Sequence, residues 1–160
     1  MPDLEKRIAS ELEHHEDGLK NSLVCDEHQD NRKLIVNALR ELRYNIRVAS
    51  DIEDVYDRLR YERFDVIVLN DNFGGGSSDN NEILEFIQTM PIAERRRIFV
   101  ALVGNEYKSL DNMMAFAKSV NVVINNNDFA NLKAMLKRAI TDNDNFYRVF
   151  KGVLTELGKS

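Results

Sequence analysis

Two adjacent carboxylates, Asp26 and Glu27, close the short apolar run Leu23-Val24-Cys25. Acids paired at a strand end, with a third acid opposite, are how proteins hold a hard cation such as Mg2+. Three further apolar runs end in residues that could share one crevice with them. Asn70 and Asp71 follow Val66-Ile67-Val68-Leu69, and Val103 and Gly104 end the run that starts at Ile98. Asn125, Asn126 and Asn127 follow the run from Val120 to Ile124. In an open parallel sheet, ligands bind beyond the carboxyl ends of the strands, so these are the positions where chemistry would sit.

The residue types exclude several chemistries. A phosphate cradle needs glycines and free backbone amides opening a helix, without negative charge in the way. Here Asp26 and Glu27 stand where the phosphate would lie, and neither a G-x-G-x-x-G nor a G-x-x-x-x-G-K-[ST] pattern occurs. Gly74-Gly75-Gly76 has no lysine partner and reads as a flexible loop. His28 and the pair His14-His15 lack a metal-ligand constellation and read as surface residues. Cys25 sits in an apolar run and reads as core. The three asparagines could hydrogen-bond a polar ligand, which keeps a small-ligand-binding α/β domain as one alternative.

The elements that must position these residues follow from periodicity. Five apolar runs of three to six residues read as strands buried on both faces, the habit of a parallel sheet. Between them lie helical stripes. Leu34, Ile35, Ala38, Leu39 and Leu42 form the first; Ile52, Val55 and Leu59 follow Ser50 at capping-box spacing from Glu53. Ile83, Leu84, Phe86 and Ile87 follow Asp79, and Pro91 stops that helix. Met113, Met114, Phe116 and Ala117 mark a fourth helix with Asn105 as its cap, and Asp128 caps a fifth carrying Leu132 and Leu136. Strand and helix alternate five times, which calls for a three-layer α/β fold with right-handed crossovers. Leu4, Ile8 and Leu12 predict an amphipathic helix before Gly18. Phe146, Phe150 and Leu154 predict a separate last helix after the polar stretch Thr141-Asp142-Asn143-Asp144.

Composition sets the outer bounds. The chain has 160 residues, 43% of them hydrophobic and 31% charged, enough for one domain with a full core. Its net charge of −5 argues against a nucleic-acid partner, because phosphates would be repelled. The single cysteine suits a reducing cytosol, and no apolar stretch reaches the roughly 20 residues that span a bilayer. The N-terminus is charged, without a signal peptide. Cytoplasmic localisation, with no membrane partner, is the expectation.

At this point the residues resemble a known family. Leu23-Val24-Cys25-Asp26-Glu27, with Asn31-Arg32-Lys33-Leu34 opening the next helix, is similar to the start of response-regulator receiver domains. Phe64-Asp65-Val66-Ile67-Val68-Leu69 resembles that family's third strand, which ends in a phosphorylated aspartate. The resemblance spans about residues 21–140 in element order and implies a doubly wound five-stranded parallel sheet of order 2-1-3-4-5. It makes Asp26 and Glu27 the metal-binding acids. It then places Asn70 at the phosphoacceptor position, and an amide is no nucleophile toward phosphoryl groups. Val103 stands where the family has a hydroxyl, Asn126 where it has a lysine, and Val123 at its aromatic switch position. No lysine occurs between positions 119 and 132.

These losses imply a pseudo-receiver: not an enzyme, but a phosphorylation-independent protein–protein interaction module in signal transduction. The division expected is an N-terminal helix or linker over residues 1–20, a receiver-like domain over 21–141 and an extra helix over 142–160. The degenerate pocket comprises Asp26, Glu27, Asn70, Asp71, Val103, Gly104 and Asn126. The expected partner is another signalling protein, or a second copy of the chain, met through Met113, Met114, Phe116, Phe146, Phe150 and Leu154. No cofactor is expected; Mg2+ at Asp26 and Glu27 is the open alternative, since the same two acids serve equally well as a solvated helix cap. The competing functional reading is an atypical receiver that uses Asp71 as its acceptor.

Overall fold

In the computed structural model, which describes residues 12–77 and 79–158, strands and helices alternate along the chain. They run β1 (Asn21–Cys25), α1 (Gln29–Glu41), β2 (Asn45–Val48), α2 (Ile52–Tyr61), β3 (Val66–Asn70), α3 (Glu82–Gln88), α4 (Ile92–Arg95), β4 (Phe99–Gly104), α5 (Asn112–Lys118), β5 (Val122–Asn125) and α6 (Leu132–Glu156). All strand pairs are parallel, in the order β2-β1-β3-β4-β5. This is the doubly wound sheet that the alternation demanded.

The strands are apolar throughout because alternate side chains feed two separate cores. Val24, Val68, Ala101 and Ile124 face one core, packed by α1 and α6. Leu23, Cys25, Leu69 and Val123 face the other, packed by α2, α3 and α5. Cys25 is fully buried, and burial pushes its thiol far up, so it stays a neutral apolar residue. β2 is an edge strand; its Arg47 reaches outward while Asn45 is buried, accepting the Glu16 amide at 2.6 Å.

Helix boundaries fall one or more residues from their expected places. Asp51, not Ser50, caps α2, taking the Asp54 N–H at 2.8 Å. Asn81 rather than Asp79 caps α3, and Asp111 rather than Asn105 caps α5. Asp128 instead accepts the Ser109 hydroxyl, and a 3-10 turn over Asn126–Asn131 precedes α6. In α1 the buried face is Ile35, Val36, Ala38 and Leu39, capped by His28; Leu34 is 46% exposed. Asp, Asn and Ser all satisfy orphan helix amides, so any neighbour with suitable backbone can take the position.

The largest departure concerns the C-terminal end. α6 runs without a break from Leu132 to Glu156, where the polar stretch 141–144 had suggested two helices. Those four residues contain neither glycine nor proline. Their polar faces look outward, and Asn143 accepts a hydrogen bond from Asn121 Nδ2 at 3.2 Å. Polarity alone does not end a helix. The expected extra helix is therefore the far half of the fifth one. At the other end, Leu4 and Ile8 lie outside the described residues. Leu12 packs on the α1 core, and His14 pairs antiparallel with Ile46 on the outer edge of β2.

Candidate functional site

Strand register brings Asn70 beside Val103 and Gly104 beside Asn125 at the carboxyl ends of β3, β4 and β5. Asp26, one residue past β1, completes this rim. It is fully buried and held twice: Oδ1 accepts the His28 N–H at 2.8 Å, and Oδ2 accepts the Asn70 side-chain N–H at 3.0 Å. Burial holds its carboxyl above the usual carboxylate range, against the opposing pull of those two bonds. Asn70 spends its carbonyl on the Asn72 amide at 3.2 Å. The crevice at this point is an acid–amide pair.

Glu27 diverges from its neighbour. It is exposed, and its Oε1 accepts the Gly74 N–H at 2.6 Å. Gly74 has φ of +69°, a left-handed conformation that favours glycine, and a Cβ there would press on the Ile52 side chain at 2.3 Å. The two acids thus work at different tasks, one inside and one tying down the loop after β3. Among the described residues, no group of three His, Cys, Asp or Glu side chains could hold a metal ion. A hard cation at Asp26 would share its carboxylate oxygens with the His28 and Asn70 donors.

Asp71 lies on the opposite face of the sheet from Asn70, as the two-residue period of a strand requires. Its N–H continues the β4 pairing, donating to the Val103 carbonyl at 2.9 Å. Its carboxylate lies across Gly104, where a Cβ would come within 2.5 Å of Oδ2. The buried Tyr107 hydroxyl points at this carboxylate short of good hydrogen-bonding geometry and has no other partner among the described residues. Burial, reinforced by Glu106, raises the Asp71 carboxyl, while Tyr107 and Lys118 pull the other way. Burial and the facing carboxylate push the Tyr107 phenol well up.

The remaining pocket positions are closed or turned inward. Val103 and Val123 are fully buried. Asn125 ties the end of β5 to the loop after β4: Nδ2 donates to the Tyr107 carbonyl at 2.7 Å and to the Asn105 carbonyl at 3.2 Å, and Oδ1 accepts the Asn127 N–H. Asn126 Nδ2 donates to the Asn105 side chain at 2.7 Å. Asn81 is a site residue that the sequence did not reveal. It is buried, its Nδ2 donates to the Asp71 carbonyl at 2.8 Å, and its Oδ1 caps α3 through Leu84, which fixes the segment after β3. Its signal was an asparagine directly before Glu82-Ile83-Leu84, hidden by the better-spaced Asp79.

The expected interaction residues divide. Met113 and Phe116 on α5 are 77% and 82% exposed, while Met114 packs partly into the core. Phe146 and Phe150 on α6 are exposed and stacked, with ring centroids 6.4 Å apart; Leu154 is half-buried. Val149, Val153 and Leu157 extend the exposed row.

No family model matches the chain, and no curated protein matches it. Solved structures do. A chemotaxis response regulator, CheY4 of Vibrio cholerae, is 16% identical over 76% of this chain and 98% of its own, with a TM-score of 0.56. A CheY-like receiver domain protein from Methanospirillum hungatei is 14% identical over 80% and 98%, with a TM-score of 0.60. The chain has the response-regulator receiver fold. The signal receiver domain of a DNA-binding response regulator from Colwellia psychrerythraea repeats the likeness at 17% identity, over 77% and 98%, with a TM-score of 0.58. In this chain Asn70 is the last residue of the third strand, and Asp26 directly follows the first.

Proposed function

We propose that this chain is a pseudo-receiver, a phosphorylation-independent protein–protein interaction module in signal transduction. One observation carries the reading: the side chain at the end of β3 on the Asp26 face is an amide, and it donates its N–H to Asp26. A phosphoacceptor at this point would need an ionised carboxylate free to attack and a cation to neutralise the transferred group. Asp71, the acid next in sequence to Asn70, faces the other side, against Gly104 and Tyr107. Val103 offers no hydroxyl and Asn126 no ammonium, so a phosphoryl group would meet neither partner. No step of catalysis is left to the crevice. Its role is to hold one fixed arrangement of loops.

What such a module presents is its surface. The rows on α5 and the free half of α6 expose Met113, Phe116, Phe146, Val149, Val153 and Leu157, a concentration of apolar side chains suited to another signalling protein. Among the described residues no helix is long and apolar enough to cross a membrane.

Incubation with Mg2+ and acetyl phosphate, followed by intact-mass measurement, tests the central claim. An unchanged mass is expected. An added phosphoryl mass that vanishes in Asp71→Asn would establish the atypical receiver instead.

A further inference from the structure

A second cleft lies at the amino end of the sheet, opposite the crevice just described. It is about 600 Å3 in volume and opens between α2, α3 and the segment that leads from α4 into β4. That volume is within the range of small-molecule sites, roughly 300–1,000 Å3. Its floor is apolar, built from Leu59, Phe86, Met90 and Ile98. Tyr56 packs edge-on against Phe86, with centroids 5.1 Å apart, and donates its hydroxyl to Glu82 at 2.7 Å, which fixes the orientation of this aromatic wall.

The rim carries Arg60, Arg63 and Arg97. None of these guanidiniums has a carboxylate within 4.0 Å among the described residues; Arg60 only approaches the Tyr61 ring, at 6.0 Å. Of the two acids on the rim, Glu62 is taken up by Arg47 and Arg58, which leaves Glu94 alone against three arginines. A chain of net charge −5 thus gathers unpaired positive charge around one apolar cleft. Guanidinium forks match carboxylate and phosphate oxygens geometrically, and their attraction strengthens beside a low-dielectric wall.

We propose that this cleft binds a small amphipathic anion, an apolar ring or chain carrying a carboxylate or phosphate. The apolar body lies on Phe86, Met90 and Leu59, and the anionic group meets Arg60, Arg63 or Arg97. The proposal is independent of the pseudo-receiver reading, because the two sites occupy opposite ends of the strands.

Naphthoate, naphthyl phosphate and the neutral naphthamide serve as probes for the full chain, followed by methyl-resolved NMR. Saturable shifts at the methyls of Leu59, Met90 and Ile98 are expected for the two anions, and the better of them identifies the preferred group. The double variant Arg60→Gln/Arg97→Gln should weaken the anions by roughly tenfold or more and leave naphthamide unchanged. Shifts centred on Val149, Val153 and Leu157, or equal binding of anion and amide by the unaltered chain, would overturn the proposal even if the variant failed to fold.

Discussion

The pair Asp26–Asn70 is a local solution to a local problem. A carboxylate buried without a cation needs donors, and the Asn70 amide supplies one where a second acid would repel. Asn70→Asp should therefore lower the thermal midpoint at neutral pH, and acid or millimolar Mg2+ should recover it; melts across pH with and without MgCl2 read this directly. A midpoint indifferent to both would mean that the two side chains do not share a crevice. Asp71 allows the sign of a pH effect to be stated. Its folded-state pKa is raised, so the folded chain holds the proton more tightly than the unfolded one. Ionisation then costs stability, fully so above the folded pKa, and the cost fades as pH falls toward the ordinary carboxylate range. Asp71→Asn is expected to raise the urea midpoint at neutral pH and to converge with the parent chain in acid. This position was visible in the sequence only as a one-residue ambiguity at the end of a strand. The two-residue period decided it.

At the scale of elements, α6 is two things in one helix. Leu136 is fully buried, while the row from Phe146 to Leu157 is largely exposed. Leu136→Ala is expected to cost about 2–5 kcal/mol in a urea melt. The pair Val149→Lys and Val153→Lys should leave that melt unmoved, because neither side chain is in the core. Gly152 sits in the exposed half with open space around a Cβ, so Gly152→Ala should add helix signal in circular dichroism without a clash. The stripes that place α1, α2 and α6 were legible because buried positions recur every three or four residues. Helix ends were less so, since Ser50-Asp51 and Asp79-Asn80-Asn81 each offer several side chains able to cap. The continuity of α6 was hidden because its polar stretch reads as a break by composition but contains nothing that stops a helix.

For the whole molecule, strand order followed from the alternation of elements together with the family resemblance, and the carboxyl-end rim followed from strand order. The cleft at the amino end and the seating of the N-terminal segment were illegible, because both depend on side chains far apart in sequence. Glu13 supplies the ionic part of that seating. Glu13 takes Arg58 at 2.6 Å, Arg47 at 3.6 Å and the Val48 N–H at 3.2 Å, on half-buried side chains. Glu13→Ala should cost about 1–2 kcal/mol in a urea melt, and less at high salt, which screens the ionic part.

The antiparallel bridge of His14 with Ile46 gives that seating an observable of its own. The Ile46 N–H donates to the His14 carbonyl at 2.7 Å, on the side of β2 that no other strand covers. Its hydrogen exchange is therefore a gauge of how long residue 14 stays seated. Deuterium should enter this one amide at the rate of local peeling, well before the interior strands β1 and β3 take up label.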